Sequence, residues 1–488
     1  MPLPKFADTA VIGGGTAGAA VAGLLAEHSA QSVVLLEAGP DYGPFAAGRW
    51  PVELINAGAI PITHDWGYNS GEMYAPRVIG YERARVIGGC SSHNGCAAIW
   101  GSSVDYDGWA ALGNPGWSTD ELRPLFRAGS DRLRVRIPEP GEVTPFQRIS
   151  MDAAVDAGIP RVADLNNLDE NLGMAPRPAN IVDGVRWNTA FAYLDPVRER
   201  SNLAILANST CERLEISSGR INALVVAGRE GPVRIEAGRV VVAAGTYGSP
   251  AILLRSGIGD SSELRAAGIT PMHDLPGVGQ NLHDHPRVTL IYAGTHELEE
   301  MMTAFARDHW MPEEQTIAKA RSSQCTQAFD LHVYPVGGPD STTPTGWRWT
   351  LEVVCLTPRS NLNAKSGLWK TINQSASNGQ QQPAVTAAHC IKPQNISAHN
   401  WVFLLDAAAD DATCTRMAFN SSSNTIAWKF ACRGQSPRTT QGSIKFDTPQ
   451  HYSGTVSIKG GATANNPSSG DVLHTEGTWV GACIGTAN

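Results

Sequence analysis

The stretch Thr9–Gly18, TAVIGGGTAG, decides the fold of this chain. It begins with a short apolar run typical of a buried strand, and glycines at the spacing G-x-G-x-x-G follow. In this pattern Gly13 makes the tight turn, Gly15 lets backbone approach a pyrophosphate, and Gly18 lets a helix pack on the strand. The stretch therefore predicts a strand, a turn and a helix that bind a dinucleotide.

The residues that follow supply the context this motif needs. A helix rich in alanine and leucine is predicted through about Glu27, and a second strand, SVVLL, ends at Glu37. Glu37 lies 24 residues after Gly13, close to the spacing of about 20 expected for the carboxylate that accepts from a ribose hydroxyl. The β-α-β pattern does not separate NAD from FAD.

A second informative stretch is Arg85–Cys96, RVIGGCSSHNGC. Its glycines let the backbone come close to a ligand, and its serines, histidine and asparagine supply short polar groups. The ring of His93 can also carry a covalent link to a flavin. The plainer interpretation is a glycine-rich turn with a solvated histidine.

Two later blocks complete the pattern. Residues 239–259 read as a strand, a glycine turn and a short helix, and residues 275–286 have the sequence LPGVGQNLHDHP. Together with the two stretches above and Asp105–Trp109, these blocks resemble the glucose–methanol–choline (GMC) family of FAD-dependent oxidoreductases. The resemblance covers about residues 6–360. It implies an α/β, Rossmann-like FAD-binding domain with the start of an antiparallel-sheet substrate domain. Beyond it, short alternating runs such as residues 425–432 and 454–459 predict a small all-β domain.

The resemblance also implies which residues contact FAD. The predicted contacts are Gly13, Gly15, Thr16, Ala17, Gly18, Glu37, Ala38, Arg85, Val86, Gly89, His93, Asn94, Gly95, Cys96, Ala97, Cys211, Ala244, Gly245 and Asp284. Asn281 and His285 match the same late block. In choline oxidases the histidine at the position of His93 carries FAD covalently, so we expect His93 to be flavinylated. Those enzymes typically have serine where this chain has Gly95, which puts choline itself in doubt.

Family members pass a hydride from a small alcohol to the flavin, and a late histidine assists by taking the hydroxyl proton. That histidine sits in a segment of the form HPVGTxRMG, which this sequence lacks. The nearest similar string is His474–Gly481, HTEGTWVG, where His474 is expected to be a strand-and-turn histidine. The catalytic residues therefore stay unassigned. Residues 286–345 are expected to line the substrate pocket, with Trp310, Glu313, Glu314, His332 and Tyr334 as candidates.

Composition marks a boundary near Ser360. Residues 1–360 hold 29 Lys and Arg against 40 Asp and Glu, whereas residues 361–488 hold 9 against 6. We predict an FAD-binding domain over 1–285 with interleaved segments, a partial substrate domain over 286–360, and a small disulfide-type β domain over 361–488. The last resembles small exported bacterial domains of unknown function. Its cysteines 390, 414, 432 and 483 suggest two disulfides with three possible connectivities.

The net charge of -8 argues against nucleic acid or an anionic membrane as a partner. No apolar run approaches the roughly 20 residues of a membrane span, no metal site is expected, and the start is too polar for a secretory signal. A cytoplasmic location is therefore expected, although disulfides need an oxidising compartment. The sequence does not indicate whether the electron acceptor is oxygen or another carrier.

Three hypotheses follow. The chain is an FAD-dependent alcohol oxidoreductase with a replaced or diverged closing segment, a flavin-binding but inactive fusion, or an NAD-dependent dehydrogenase. The third is disfavoured because the loop at 85–96 and the block at 244–259 have no role in such an enzyme.

Overall fold

The computed structural model describes residues 4–70, 78–168, 172–227, 231–280, 282, 284–323, 325, 328–356, 367–377, 380–381, 384–391, 414–421, 425–432, 438–448, 451–460 and 471–481. The chain divides into two compact units. The first comprises Met1–Gly279 with Asp284–Thr357, and the second comprises Gln280–His283 with Pro358–Asn488.

The strands of the first unit are β1 Phe6–Ile12, β2 Val33–Leu36, β3 Gly173–Pro176, β4 Ile181–Val182, β5 Val185–Arg186, β6 Leu203–Leu206, β7 Cys211–Ser217, β8 Arg220–Val226, β9 Val233–Val242, β10 Ile258–Gly259, β11 His273–Asp274, β12 Arg287–Tyr292, β13 Thr316–Ala320, β14 Leu331–Pro339 and β15 Trp347–Cys355. Its helices are α1 Thr16–His28, α2 Val52–Ile55, α3 Ser103–Ala111, α4 Thr119–Arg132, α5 Pro145–Asp156, α6 Gly245–Arg255, α7 Ser261–Ala266 and α8 His296–Phe305. Within the described ranges no helix is long and apolar enough to cross a bilayer.

The first sheet has six strands in the order β6-β2-β1-β9-β8-β7. Strands β6, β2, β1 and β9 are parallel, while β8 and β7 continue the sheet antiparallel. Because the parallel strands end at the same edge, the turns after β1, β2 and β9 meet there. The β-α-β unit predicted from the sequence is confirmed.

The central strands of this sheet are packed on both faces where they are apolar, at Ala10, Val11 and Ile12 of β1 and along the whole of β2. Val11 and Leu35 face α1 and pack in one core cluster, while Ile12 and Val34 point to the opposite face and pack in another. Each such fully buried side chain stabilises the fold by about 1.5–3 kcal/mol. The packing on both faces of the sheet therefore fixes the position of the edge where the three turns meet.

The second sheet has five strands in the order β12-β15-β14-β13-β3, with all neighbours antiparallel. Helix α5 packs against one face through Met151, which contacts Met174 and Ala318. Strand β3 comes from far upstream in the chain and joins the sheet beside β13, with Thr316 opposite Pro176. This pairing brings residues near 177 and 314 together.

The second unit is one antiparallel sheet, in the order β17-β16-β23-β22-β21-β20-β19 with β18 paired to β16. Its strands are β16 Gly367–Ser377, β17 Gln380–Gln381, β18 Val385–Ile391, β19 Cys414–Ser421, β20 Thr425–Cys432, β21 Arg438–Thr448, β22 His451–Gly460 and β23 Asp471–Gly481. Trp428 and Phe430 on β20 alternate with half-exposed neighbours and are buried, which is the pattern of a one-sided sheet. The predicted fold class is confirmed in all three parts.

Cys432, at the end of β20, is disulfide-bonded. In the strand register it lies opposite Cys414. The side chains of Cys390, Cys414 and Cys483 fall outside the described residues, so the pairing of the four cysteines stays a prediction.

Candidate functional site

The turn between β1 and α1 has no room for side chains. Gly13 adopts a φ of 99°, and a Cβ there would lie 2.5 Å from the Ala243 carbonyl oxygen. A Cβ on Gly18 would lie 1.8 Å from the Gly13 carbonyl oxygen. Glycine at both positions lets α1 begin directly behind the strand end. The free N–H groups of its first turn, at Thr16 and Ala17, then meet whatever occupies the space in front.

Glu37 sits at the end of β2 and is 6% exposed. Its Oε2 accepts from the Gly14 N–H at 2.9 Å, and its Oε1 accepts from the Gly39 N–H at 2.8 Å. Burial raises the pKa of this carboxyl, while these N–H groups and Arg85 oppose the shift. Each carboxylate oxygen keeps a further lone pair, so Glu37 can still accept from a ligand hydroxyl.

The three turns open onto a cavity of about 990 Å³. Ten of the predicted contact residues line it: Gly13, Gly15, Thr16, Ala17, Glu37, Ala38, Gly89, Cys211, Ala244 and Gly245. The volume lies at the upper end of the roughly 300–1,000 Å³ found for small-molecule and cofactor sites. We call this space the cofactor cavity.

The loop at 85–97 forms part of the cavity wall at Gly89 and Cys90. A Cβ on Gly89 would lie 2.6 Å from Gly15 Cα, so the two glycine segments touch through bare backbone. Thr16 joins them further, because its Oγ1 accepts from the Ser91 N–H at 3.1 Å. The two motifs that were read separately in the sequence form one wall.

The other predicted residues of this loop do not line the cavity. Val86 and Cys96 are fully buried. His93 is 5% exposed, and its Nε2 donates to the Thr63 carbonyl at 2.7 Å. Asn94 is held by Arg186, whose Nε donates to the Asn94 carbonyl at 2.8 Å.

Four more residues predicted to contact FAD are not part of the cavity lining. Gly95 and Ala97 follow Asn94 in this loop, and Gly18 lies inside α1 against Gly13. Arg85 stacks its guanidinium 4.8 Å from the ring centre of Trp66, which does line the cavity. Ala97 is exposed and Gly95 is half-buried, and the contact of these residues with FAD stays a prediction.

Aromatic residues that the sequence did not single out close one side of the cavity. Trp66 and Tyr68 stack at 5.8 Å between ring centres, and Tyr68 packs at 5.0 Å on Tyr247 of α6. Arg83 lies over Tyr247 and forms an ion pair with Asp284 at 3.5 Å. Asp284 thus contacts Arg83, which lines the cavity, and its own contact with FAD stays a prediction.

His285 is exposed, with its ring nitrogen Nδ1 3.2 Å from the Cys355 carbonyl. Asn281, predicted from the same block, lies outside the described residues. His474 is exposed on β23 of the second unit, which confirms that it is a strand histidine.

The residues predicted to line the substrate pocket have different surroundings in the structure. Burial, and then the charge of Lys319, lowers the pKa of His332 to about 3, and burial raises the pKa of Tyr334 to about 12. Glu313 and Glu314 are both half-buried, and Glu313 pairs with Arg348 at 3.0 Å while Glu314 pairs with Arg177 at 2.8 Å. Trp310 is 41% exposed.

Comparison with known proteins shows which family this chain belongs to. A family model described as GMC oxidoreductase matches residues 7–287, more than half of the chain. The chain belongs to the GMC oxidoreductase family. The second unit matches a different model, described as a protein of unknown function (DUF3617), over residues 364–483. Both resemblances drawn from the sequence are confirmed.

Individual relatives agree with the family. A pyridoxine 4-oxidase of Microbacterium luteolum is 34% identical over 298 residues, which is 57% of this chain and 57% of the relative. An oxygen-dependent choline dehydrogenase of Ectopseudomonas mendocina is 34% identical over 312 residues, covering 59% of this chain and 54% of the relative. The chain thus spans about half the length of the curated relatives it matches. A crystal structure of pyridoxine 4-oxidase from Mesorbium loti superposes with a TM-score of 0.60 at 27% identity, covering 71% of each chain.

FAD is the cofactor of the GMC family, and the cofactor cavity fits it. Gly13 and Gly18 let the backbone pack where a Cβ would clash, which sets the N-terminus of α1 at the cavity, and this N-terminus presents donors suited to a pyrophosphate. Glu37 presents a buried carboxylate suited to a ribose hydroxyl.

Proposed function

We propose that this protein is an FAD-dependent oxidoreductase acting on CH–OH donors, which takes a hydride from a small alcohol and yields an aldehyde or ketone. The observation that carries the proposal is the cofactor cavity, where the β1 turn, Glu37 and the loop at Gly89 meet. Bound FAD supplies the hydride acceptor. Family membership in the GMC oxidoreductases removes the reason to consider an NAD-dependent dehydrogenase.

The protein's own part is to bind and orient. We propose that the N–H groups of Thr16 and Ala17 hold the pyrophosphate, with Ala244 and Gly245 on its other side. Glu37 would accept from the ribose, and the backbone at Cys211 would contact the adenine. The stacked rings of Trp66 and Tyr68 give this side of the cavity an aromatic surface against which a flat ring could pack.

The alternative is a chain that binds FAD but does not oxidise alcohols. It is favoured by the lack of the HPVGTxRMG segment in this sequence and by His474, which is exposed on a strand of the second unit. The two proposals share the cofactor and differ in chemistry alone.

One experiment separates them. The full chain is purified, its flavin absorbance is recorded, and a panel of alcohols is added without oxygen. Bleaching of the flavin band by any alcohol supports the oxidoreductase, and its return with air or with a quinone identifies the acceptor. A yellow protein that no alcohol bleaches supports the inactive fusion.

We propose that His93 carries the FAD covalently. The hydrogen bond from Nε2 to Thr63 fixes the ring, so bonding through Nε2 requires the ring to leave that carbonyl. Flavin fluorescence that remains with acid-precipitated protein is the expected result, and His93→Ala should release it. His28→Ala, at an exposed histidine, is the control. Release of all flavin from the unaltered chain would contradict the proposal.

The cytoplasmic location predicted from the sequence stays a prediction. The disulfide at Cys432 counts against it, because disulfides persist in oxidising compartments. Cell fractionation combined with thiol labelling of the native chain tests it.

A further inference from the structure

A second cavity of about 560 Å³ lies at the β7 edge of the six-stranded sheet, next to the cofactor cavity. Its walls come from β7, from the C-terminal end of α6 and from the segment at 269–272. Arg213, Arg255 and Ile269 line both cavities, so the two spaces adjoin near Cys211, whose backbone is proposed to contact adenine. We call this second cavity the arginine groove.

The fold places two arginine side chains next to each other in this groove. Arg255 donates from Nε to the Glu212 carbonyl at 2.6 Å, and Ser256 Oγ accepts from the Leu214 N–H at 2.7 Å. These two bonds hold the end of α6 against the residues on either side of Arg213. The side chains of Arg213 and Arg255 therefore leave the backbone at neighbouring points, on elements that are fixed to each other.

The charges of these two arginines are not compensated by an ion pair. Within the described ranges, no carboxylate lies within ion-pair distance of Arg213 or Arg255. By contrast, Arg234 in the same groove is bound by two carboxylates, Glu215 at 2.7 Å and Glu236 at 2.6 Å. The groove thus carries an excess of positive charge in a chain whose net charge is -8, and this excess attracts anions.

The donors in the groove are suited to a small anion with several acceptor oxygens. A guanidinium presents its N–H groups in a planar fork that matches the oxygens of a phosphate or a carboxylate. Two uncompensated guanidinium groups match a doubly charged ligand, and a phosphate monoester carries about -1.5 to -2 charge near pH 7. A carboxylate carries a single charge. The hydroxyl of Thr270 on the wall of the groove adds a further donor.

The phosphates of FAD are not expected to occupy this groove. Their proposed place is the N-terminus of α1, at Thr16 and Ala17, and neither residue lines the groove. Glu37 and Cys211 are proposed to hold the ribose and the adenine, which follow the pyrophosphate in FAD. The groove therefore lies beyond the adenine and would take a separate ligand.

We propose that Arg213 and Arg255 bind a small phosphate-bearing anion, either inorganic phosphate or a phosphate monoester, at the adenine end of the cofactor cavity. Both side chains also line the cofactor cavity, so an anion that fixes them closes this end and slows the release of FAD. The second effect rests on the proposed FAD site, and neither effect rests on alcohol oxidation.

The test measures anion binding to the full chain by isothermal titration calorimetry at constant ionic strength, with and without FAD. Inorganic phosphate and glycerol phosphate are the two phosphate probes, because they separate a free ion from a monoester, and acetate is the singly charged comparison. We expect one or both phosphate probes to bind at least about tenfold more tightly than acetate. The tighter of the two identifies the source of the phosphate group.

The variant that tests the site is Arg213→Gln. This side chain is exposed and pairs with no carboxylate in the described part of the chain, so its substitution should leave the fold intact. We expect phosphate binding to weaken at least about tenfold, because hydrogen bonds to a charged group are lost. Arg307→Gln changes the net charge equally at an exposed arginine outside the groove, and it should bind phosphate normally.

FAD release is followed by the recovery of flavin fluorescence after dilution. Phosphate should slow it roughly fivefold in the unaltered chain and in Arg307→Gln, but not in Arg213→Gln. Phosphate binding that leaves FAD release unchanged would contradict the closure of the cofactor cavity.

Two results would overturn the site itself. One is phosphate binding no tighter than acetate binding, and the other is equal phosphate binding by the unaltered chain and Arg213→Gln. A loss of FAD affinity in Arg213→Gln without any phosphate binding would mean that this arginine holds the cofactor instead. If phosphate binds through Arg213 to a chain that takes up no FAD, the site stands and the proposed cofactor site fails.

Discussion

The cofactor cavity and the arginine groove are built by different means. The cofactor cavity is shaped largely by backbone, at the glycine turns after β1 and β9 and at the loop that contains Gly89. The arginine groove is shaped by side chains, above all by Arg213 and Arg255, which the packing of α6 against β7 brings together. A site made of backbone depends on local sequence, whereas a site made of side chains depends on topology. Substitutions should reveal this difference.

The largest effect is expected at Gly18. In Gly18→Ala the new Cβ would lie 1.8 Å from the Gly13 carbonyl, and neither the strand nor the helix can retreat without opening the core. We expect FAD affinity to fall by roughly a hundredfold or more, equivalent to about 3 kcal/mol. Titration of the apoprotein with FAD measures it. Gly108→Ala, in α3 with open space around it, should leave the affinity unchanged. Equal affinities in both variants would show that the turn does not form the site.

The next largest effect is expected for the pH dependence of stability that Lys319 causes. Its side chain connects the second sheet to two loops by hydrogen bonds. Its Nζ donates to the carbonyls of Trp100 and Leu165, and burial lowers its pKa from 10.5 to about 8. Between about pH 8 and 10.5 the lysine is neutral when folded and still protonated when unfolded. The unfolded state then binds more protons, so the free energy of unfolding rises with pH across this window.

Lys319→Met cannot take up that proton. Relative to this variant, the unaltered chain should gain roughly 2–3 kcal/mol of stability on going from pH 7.5 to 10.5. Urea unfolding at a series of pH values measures the gain. A constant difference between the two proteins across this range would mean that the buried lysine is charged throughout.

A smaller effect is expected for Glu37→Gln. The amide supplies one acceptor where the carboxylate supplies two, so the N–H of either Gly14 or Gly39 loses its partner. FAD affinity should fall roughly tenfold, or about 1.4 kcal/mol. Glu27→Gln, at a half-exposed glutamate paired with Arg132, is the control and should bind FAD normally. A larger loss in the control would place the effect in folding rather than in the cofactor contact.

The same contrast explains how much the sequence could predict. The β-α-β unit, its three glycines and Glu37 were readable because each residue acts through its own backbone or at a strand end. Arg213 and Arg255 were missed because they meet only where the end of α6 packs against β7. Trp66 and Tyr247 were missed because their stacking depends on segments that meet only in the folded chain.

Some of the predicted FAD contacts do not line the cofactor cavity. His93 and Asn94 were assigned to FAD, but their observed partners are the Thr63 carbonyl and Arg186. Their direct contact with FAD stays a prediction.

The central claim is that the cofactor cavity holds FAD. The most direct test is the flavin content of the purified full chain, measured by absorbance after denaturation and compared with protein concentration, before and after incubation with FAD. The account predicts one FAD per chain, lost in Gly18→Ala and kept in Gly108→Ala. A folded chain that is colourless and takes up no added FAD would contradict it.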